Sequence, residues 1–225
     1  MPELLNDYVR SLLQTNEVSG SNVYAANGLL GDGQIVSVAD TGVDETSCYF
    51  QDPNGQVQRS PLSQPVTNPN IRKVDIYAIF FGTQNDFKAA LQIIQYCGNP
   101  GNDFTDEVDG HVTHVAGIIA GQALSSDSPQ YNGVAPNAKL IVFDLALPGG
   151  GITACGADCL YYPSYYAGSR IHTNSWGSTF SGSGSYYGSD VDIFLYYHPE
   201  SAIFFAAGNS GGNGARTLTM EWYDN

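Results

Sequence analysis

Residues 34–42 read Gln-Ile-Val-Ser-Val-Ala-Asp-Thr-Gly, and this stretch decides the fold class. An almost continuous apolar run that ends in an acidic residue and Thr-Gly is typical of a strand buried on both faces, as in parallel sheets. Residues 138–145 and 202–207 form two further apolar runs. Helical patterns over 111–120 and 190–197 lie between these strands. The alternation predicts an α/β fold, with a mainly parallel sheet and helices on both faces.

The remaining segments have weaker patterns. We see neither repeats nor a domain linker, so residues 1–225 are predicted to form one domain. The further predictions are helices over 3–13 and 86–96, strands over 74–81 and 171–176, and irregular backbone over 51–70 and 148–170.

Composition excludes several classes of protein. Apolar residues make up 42% and charged residues 13% of the chain, which favours a folded domain over a disordered one. Eight basic residues against 22 acidic ones give a net charge of −14, which argues against nucleic acid or an anionic membrane as a partner. The sequence shows no apolar run of the roughly 18 residues that a membrane helix needs. No signal-peptide pattern is visible at the start of the sequence.

Asp40 ends the first apolar run and begins an Asp-Thr-Gly triplet. A carboxylate at the end of a buried strand is costly unless it is paired or hydrogen-bonded. It is either a turn carboxylate capped by backbone amides or part of a catalytic site. An aspartic protease also uses Asp-Thr-Gly, but it needs two carboxylates that share a proton, so this chain would have to dimerise.

His111 and His114 open the predicted helix over 111–120. Their spacing would place both imidazoles on one helix face, where they could bind a metal, but no His-Glu-x-x-His pattern accompanies them. Either one could instead be a partly buried imidazole that is hydrogen-bonded within the fold. His111 follows Asp109-Gly110 at the helix start, a position suited to a general base with a near-neutral pKa.

Asn209 follows the last apolar run, within Ala206-Ala207-Gly208-Asn209-Ser210-Gly211. An asparagine amide at a sheet edge can donate a hydrogen bond to a developing oxyanion. Taken alone, an ordinary turn asparagine accounts for this segment better than an oxyanion donor does.

Five motifs together give the chain a resemblance to the subtilisin-like serine proteases, the subtilases. The resemblance covers roughly residues 20–214. The motifs occur in the family's order and are Val38–Gly42, His111–Gly117, Gly133–Ala138, Asn174–Gly177 and Ala206–Asn209.

The resemblance implies a serine endopeptidase that acts on peptide or protein substrates. Asp40 would orient His111, His111 would act as general base and then general acid, and Asn209 would bind the oxyanion. Substrate would pair as a strand beside Ser175, Trp176 and Gly177. No cofactor is expected; a structural calcium is common in the family, but no ligand set can be named. The family also favours a secreted or secretory-pathway location, and its compact members predict that residues 51–108 contain an insertion.

Two features depart from the family pattern. Val112 stands where the family has glycine, so its methyl groups are expected to crowd the floor of the site. The family's nucleophile lies in Gly-Thr-Ser-Met-Ala, and no Gly-Thr-Ser occurs among the 225 residues. We therefore expect a fragment of a protease domain whose sequence ends before the nucleophile, with a catalytically inactive peptide-binding module as the alternative.

The four cysteines are compatible with two disulfides. Cys48 with Cys97 and Cys155 with Cys159 is one of three connectivities, and the sequence does not choose among them or exclude four free thiols. The spacing does not match a zinc site.

Overall fold

The computed structural model describes residues 9–17, 22–51, 58–61, 66, 93–98, 104–107, 109–123, 131–147, 151–153, 156–177 and 186–207. These residues form the strands β1 (Ile35–Asp40), β2 (Arg59–Pro61), β3 (Ile93–Gly98), β4 (Lys139–Asp144), β5 (Ile171–Asn174) and β6 (Ala202–Phe205). They also form the helices α1 (Val9–Thr15), α2 (Val23–Ala26), α3 (His111–Ala120), α4 (Ala157–Tyr166) and α5 (Tyr186–Tyr197).

The strands pair in one parallel sheet in the order β2-β3-β4-β1-β5-β6. After β1 the chain continues at one edge of the sheet, returns to β4 beside β1, and then builds β5 and β6 on the other side. In open parallel sheets, ligands bind outside the carboxyl ends of the strands where the order reverses. The end of β1 is therefore the expected place for a functional site.

Helices cover both faces of the sheet. Side chains of β1 alternate between two apolar clusters, with Ile35 and Ala39 in one and Val36 and Val38 in the other. Helices α4 and α5 contribute to the first cluster and α3 to the second. The α/β class predicted from the apolar runs is confirmed.

Helix α3 begins and ends where the sequence predicted. Its buried residues, Val112, Ala116 and Ala120, repeat every four positions and so form one stripe against the sheet. The predicted strands over 34–40, 138–145, 171–176 and 202–207 are found as β1, β4, β5 and β6 with shorter ends. The predicted helix over 190–197 is found as the last eight residues of α5. The predicted strand over 74–81 lies outside the described residues, as do parts of the helices over 3–13 and 86–96.

Two predicted segments were wrong. Residues 93–96 of the predicted helix belong to β3, where Ile93 and Tyr96 are buried between β2 and β4. Residues 157–166 form α4 instead of irregular backbone, because Leu160 and Tyr161 bury against the sheet. In both cases burial of apolar side chains outweighs local propensity. A short strand, β2, also lies within the predicted loop over 51–70.

The pairing of Cys48 with Cys97 is wrong, because both are free thiols. Cys97 is fully buried in β3, where its sulfur contacts Ser60 Oγ and Gln95 Nε2, whereas Cys48 is exposed. Cys159 is disulfide-bonded, and Cys155 lies outside the described residues.

His172 is a buried histidine on β5 beneath α4 and α5. It is 1% exposed, and the rings of Tyr161 and Phe194 lie 5.4 and 5.8 Å from its own. Its Nδ1 lies 3.1 Å from Ser164 Oγ, which donates to the Leu160 carbonyl, and its Nε2 has no partner among the described residues. Burial, with a smaller effect of Arg170, lowers the pKa of His172 to about 4.

This histidine predicts a loss of stability in acid. Between pH 6.5 and about 4, His172 is protonated in the unfolded chain and neutral in the folded one. The free energy of unfolding therefore falls by roughly 3 kcal/mol as the pH drops through this range. His172→Phe removes this titration and keeps an aromatic ring in the cluster. We expect urea unfolding to show that the free energy of unfolding falls between pH 7 and pH 4.5 by about 2–3 kcal/mol more in the parent chain than in the variant. Equal drops would show that His172 does not bind protons differently on folding.

Candidate active site

The carboxyl ends of β1, β4 and β5 lie side by side and carry buried polar residues. Asp40 is in register with Asp144 of β4, and the preceding Ala39 is in register with Asn174 of β5. The three polar residues are at most 3% exposed. Because buried polar groups are costly without partners, their grouping makes this end of the sheet the candidate functional site.

Asp40 and His111, 71 positions apart in the sequence, meet at this end of the sheet. Asp40 Oδ2 lies 3.7 Å from His111 Nε2, and its Oδ1 accepts a 2.9 Å hydrogen bond from the Thr41 N–H. Oδ2 has no hydrogen-bond partner among the described residues. The separation exceeds hydrogen-bond distance, as is common in catalytic sites without substrate.

The two side chains differ in their access to solvent. The Asp40 side chain is 4% exposed and the His111 side chain 47%. The imidazole therefore has one side against a buried carboxylate and the other open to a reactant. This is the arrangement that a general base needs.

Burial dominates the electrostatics of Asp40. Desolvation raises the pKa of Asp40 to about 6, while the nearby His111 and the hydrogen bond from the Thr41 N–H oppose the rise. Asp106 and Asp109 add a smaller upward effect through like-charge repulsion. At neutral pH the carboxylate is ionised but poorly solvated, so a cation beside it is favoured.

Two aspartates hold the start of helix α3, and with it His111. Asp109 Oδ1 accepts from the His111 N–H at 3.1 Å, and Asp106 Oδ2 accepts from the Thr113 N–H at 2.7 Å. Gly110, with φ of +68°, makes the left-handed turn that leads into the helix. These carboxylates satisfy backbone donors that a helix start leaves unpaired.

A second link joins α3 to the loop after Asp40. The Asp44 N–H donates to Thr113 Oγ1 at 2.8 Å, while the Thr113 N–H donates to Asp106. The Asp40 loop and the His111 helix are therefore joined by a continuous chain of hydrogen bonds. Sequence analysis missed Asp106 and Thr113, although carboxylates just before a predicted helix are a capping signal.

The segment predicted to pair with substrate, Ser175–Gly177, directly follows β5, the strand beside β1. Trp176 is 9% exposed and packs in the core, where its indole N–H donates to the Ala39 carbonyl at 2.5 Å. Gly177 is buried and Ser175 half-buried. The Trp176 side chain thus fixes this segment next to Asp40, which leaves the main chain as the part that could pair with a peptide.

The Val112 side chain is fully buried in the cluster that contains Val36 and Val38, on the sheet side of α3. The His111 side chain, by contrast, is half exposed. The crowding of the site floor by Val112 stays a prediction. Asn209, the predicted oxyanion donor, lies outside the described residues.

Comparison with known proteins identifies the family. Residues 31–222 match the model of the Subtilase family, Peptidase S8. The chain belongs to the subtilase family. The predicted resemblance is confirmed, and the single-motif alternative, an Asp-Thr-Gly dimer protease, loses its basis.

This subtilase is also similar to two curated proteins of Dictyostelium discoideum. It is 38% identical over 191 residues to "Serine protease/ABC transporter B family protein tagD" and 36% identical over 191 residues to tagB of the same description. Each match covers 81% of this chain and 9% of the relative. The chain thus spans less than a tenth of the length of these two relatives.

Solved structures support the fold. The Clostridium perfringens CspB protease superimposes with a TM-score of 0.54 and 21% identity over 86% of this chain and 40% of that chain. A likeness at this level of identity concerns the fold alone.

Within the described part of this subtilase, no three His, Cys, Asp or Glu side chains are grouped as metal ligands would be. The described helices include none with the length and apolarity to cross a membrane. A cavity of about 900 Å³ lies along α3 next to Asp44 and His114, and neither Asp40 nor His111 lines it.

Proposed function

We propose that this subtilase is the part of a serine endopeptidase that supplies the acid and the base of an Asp-His-Ser triad. The observation that carries the proposal is the pair formed by buried Asp40 and half-exposed His111 at the carboxyl end of the sheet. The similarity to relatives described as serine proteases supports it. Peptide or protein chains are the substrates.

In this proposal His111 takes the proton of a serine hydroxyl as the hydroxyl attacks the scissile carbonyl. The imidazolium that forms is stabilised by Asp40, whose carboxylate has little water around it and gains most from a neighbouring cation. His111 then returns the proton to the leaving amine. A water molecule next attacks the ester carbonyl of the acyl-enzyme and gives its proton to His111, which passes that proton to the serine oxygen as the acid product leaves.

Two further groups complete the proposed chemistry. The Asn209 amide donates to the oxyanion of the tetrahedral intermediate, as its motif implies. The peptide pairs as an added strand with the main chain of Ser175–Gly177, so side chains at alternate positions are read by pockets. The pairing of a peptide with this segment is supported by the hydrogen bond from the Trp176 indole N–H to the Ala39 carbonyl, which fixes the segment beside the end of β1.

The nucleophile is the remaining component. No Gly-Thr-Ser occurs among the 225 residues, so the proposal places the serine in sequence encoded downstream of Asn225. The same observation favours a second candidate, a subtilase-like module that binds peptides without cleaving them.

The test is to read the transcript beyond Asn225 and to treat the full-length gene product with a fluorophosphonate probe, which labels activated serines. We expect an encoded Gly-Thr-Ser-Met-Ala-like segment and a label on its serine that prior treatment with a serine-protease inhibitor blocks. A natural stop after Asn225, or a full-length product that binds peptides but takes no label, would replace the enzyme by the binding module.

A further inference from the structure

Tyr96 of β3 holds the loop that follows Asp40. Its hydroxyl accepts a 2.7 Å hydrogen bond from the Val43 N–H and donates a 3.2 Å hydrogen bond to the Val43 carbonyl. Tyr96 is completely buried, so neither bond competes with solvent. One side chain thus satisfies both backbone groups of a residue three positions beyond the carboxylate.

The glycine between them leaves the loop little freedom. Gly42 has φ of +96°, and a Cβ at that position would lie 2.9 Å from the Tyr96 hydroxyl and 2.2 Å from the Thr105 carbonyl oxygen. The loop is therefore pressed between Tyr96 and the segment that leads to His111. Such a contact makes the position of the loop depend on the position of the hydroxyl.

The phenol is itself held in place from the segment over 51–108. The Arg59 guanidinium lies 4.1 Å from the centroid of the Tyr96 ring and 2.5 Å from Glu45 Oε2, and the Phe104 ring packs edge-on against Tyr96 at 5.7 Å. Arg59 thus contacts both the phenol and the chain just after the loop. Charge and packing combine to lock the ring.

We propose that Tyr96 is a positioning residue for catalysis. Its hydroxyl fixes the 41–43 loop, and the loop in turn shields the Asp40 carboxylate from water and keeps it directed at His111. The inference rests on the proposed function for its catalytic meaning, and on the hydrogen bonds of Tyr96 alone for its structural meaning. It gives β2 and β3, from the segment predicted as an insertion, a role in the site.

Tyr96→Phe tests the role, since it removes one oxygen atom and keeps the ring under Arg59. In the variant, the Val43 N–H and carbonyl both lose their hydrogen bond to the Tyr96 hydroxyl. The loop should therefore become more mobile and let water reach Asp40. Because burial is the largest cause of the raised pKa of Asp40, we expect that pKa to fall from about 6 by about 1 unit in ¹³C NMR titrations of the 225-residue chain.

Ser164→Ala is the matched control. Ser164 is fully buried on α4, which packs on the opposite face of the sheet, and the hydroxyl that the substitution removes donates to the Leu160 carbonyl at 2.6 Å. We expect a comparable loss of stability in urea and no change in the Asp40 titration. This comparison separates mispositioning of Asp40 from general destabilisation.

Activity supplies the second measurement. In the full-length gene product, Tyr96→Phe is expected to lower kcat by about 10- to 100-fold with KM changed less than about 3-fold, because a misplacement near 1 Å affects the chemical step. An Asp40 titration identical to that of the parent chain, or one shifted equally by Ser164→Ala, would overturn the positioning role. Absence of activity in the parent protein would instead reject the proposed function, and the titration alone would then decide the role of Tyr96.

Discussion

Replacement of His111 by alanine is expected to lower peptide hydrolysis by the full-length gene product about a million-fold. Of the described carboxylates whose charges act on Asp40, Asp106 and Asp109 are engaged in holding the start of α3, so in the proposed triad His111 is the group that takes the serine proton. Loss of the base leaves only binding and oxyanion stabilisation, which is why the remaining rate is so small. The measurement is kcat/KM on a fluorogenic peptide, together with the rate of fluorophosphonate labelling.

His114→Ala is the control for this variant. His114 lies one turn further along the same helix and is exposed. It lines the cavity of about 900 Å³, which neither Asp40 nor His111 lines. We expect its kcat/KM to stay within about 3-fold of the parent, because surface substitutions away from a site change little. Retention of more than about 1% of activity by His111→Ala would remove His111 from the proposed mechanism.

The sheet could be predicted largely from sequence because its central strands are apolar on both faces. Strands such as β1 and β4 are recognisable as short runs of Val, Ile and Phe, a composition that favours a buried strand over a helix or a loop. Helix α4 gives no such signal, since Gly and Tyr dominate its surroundings and Pro163 lies inside it. It exists because Leu160 and Tyr161 gain burial against the sheet, and that gain depends on the tertiary structure.

In the candidate site, too, some residues could be predicted from local sequence and others could not. Asp40 and His111 were predicted because each lies in a short motif at a strand end or a helix start. Tyr96 was not, because its partner Val43 is 53 residues away and nothing local in the sequence links them. Contacts of that kind depend on which strands are neighbours in the sheet. The insertion predicted over 51–108 gave no reason to expect that this segment supplies the two strands β2 and β3.

Asp40→Asn is expected to separate activity from stability. The substitution keeps a side-chain oxygen for the Thr41 N–H but removes the charge that stabilises the imidazolium and orients the ring. We expect kcat of the full-length gene product to fall about ten-thousand-fold with KM changed little. Such a loss would be about a hundred times smaller than that of His111→Ala, as expected for a residue that acts on the imidazole and not on the substrate.

Stability should move in the opposite direction. The pKa of Asp40 is about 6 in the fold against 3.8 for the free side chain, so folded Asp40 holds its proton more tightly than unfolded Asp40 does. Its contribution to stability is therefore complete below pH 3.8 and is lost as the pH rises through 6. At pH 8 the buried charge costs up to about 3 kcal/mol, a cost that a neutral amide of the same shape avoids.

Urea unfolding of the 225-residue chain from pH 4 to pH 8 measures this directly. The parent and Asp40→Asn chains should be nearly equal at the acid end, and the variant should become more stable, by about 1–3 kcal/mol, as the pH passes 6. His172 titrates identically in both chains, so its opposite effect cancels from the difference. A variant that is less stable than the parent at pH 8 would mean that the Asp40 charge is well compensated in the fold, and it would contradict burial as the main cause of the raised pKa of Asp40.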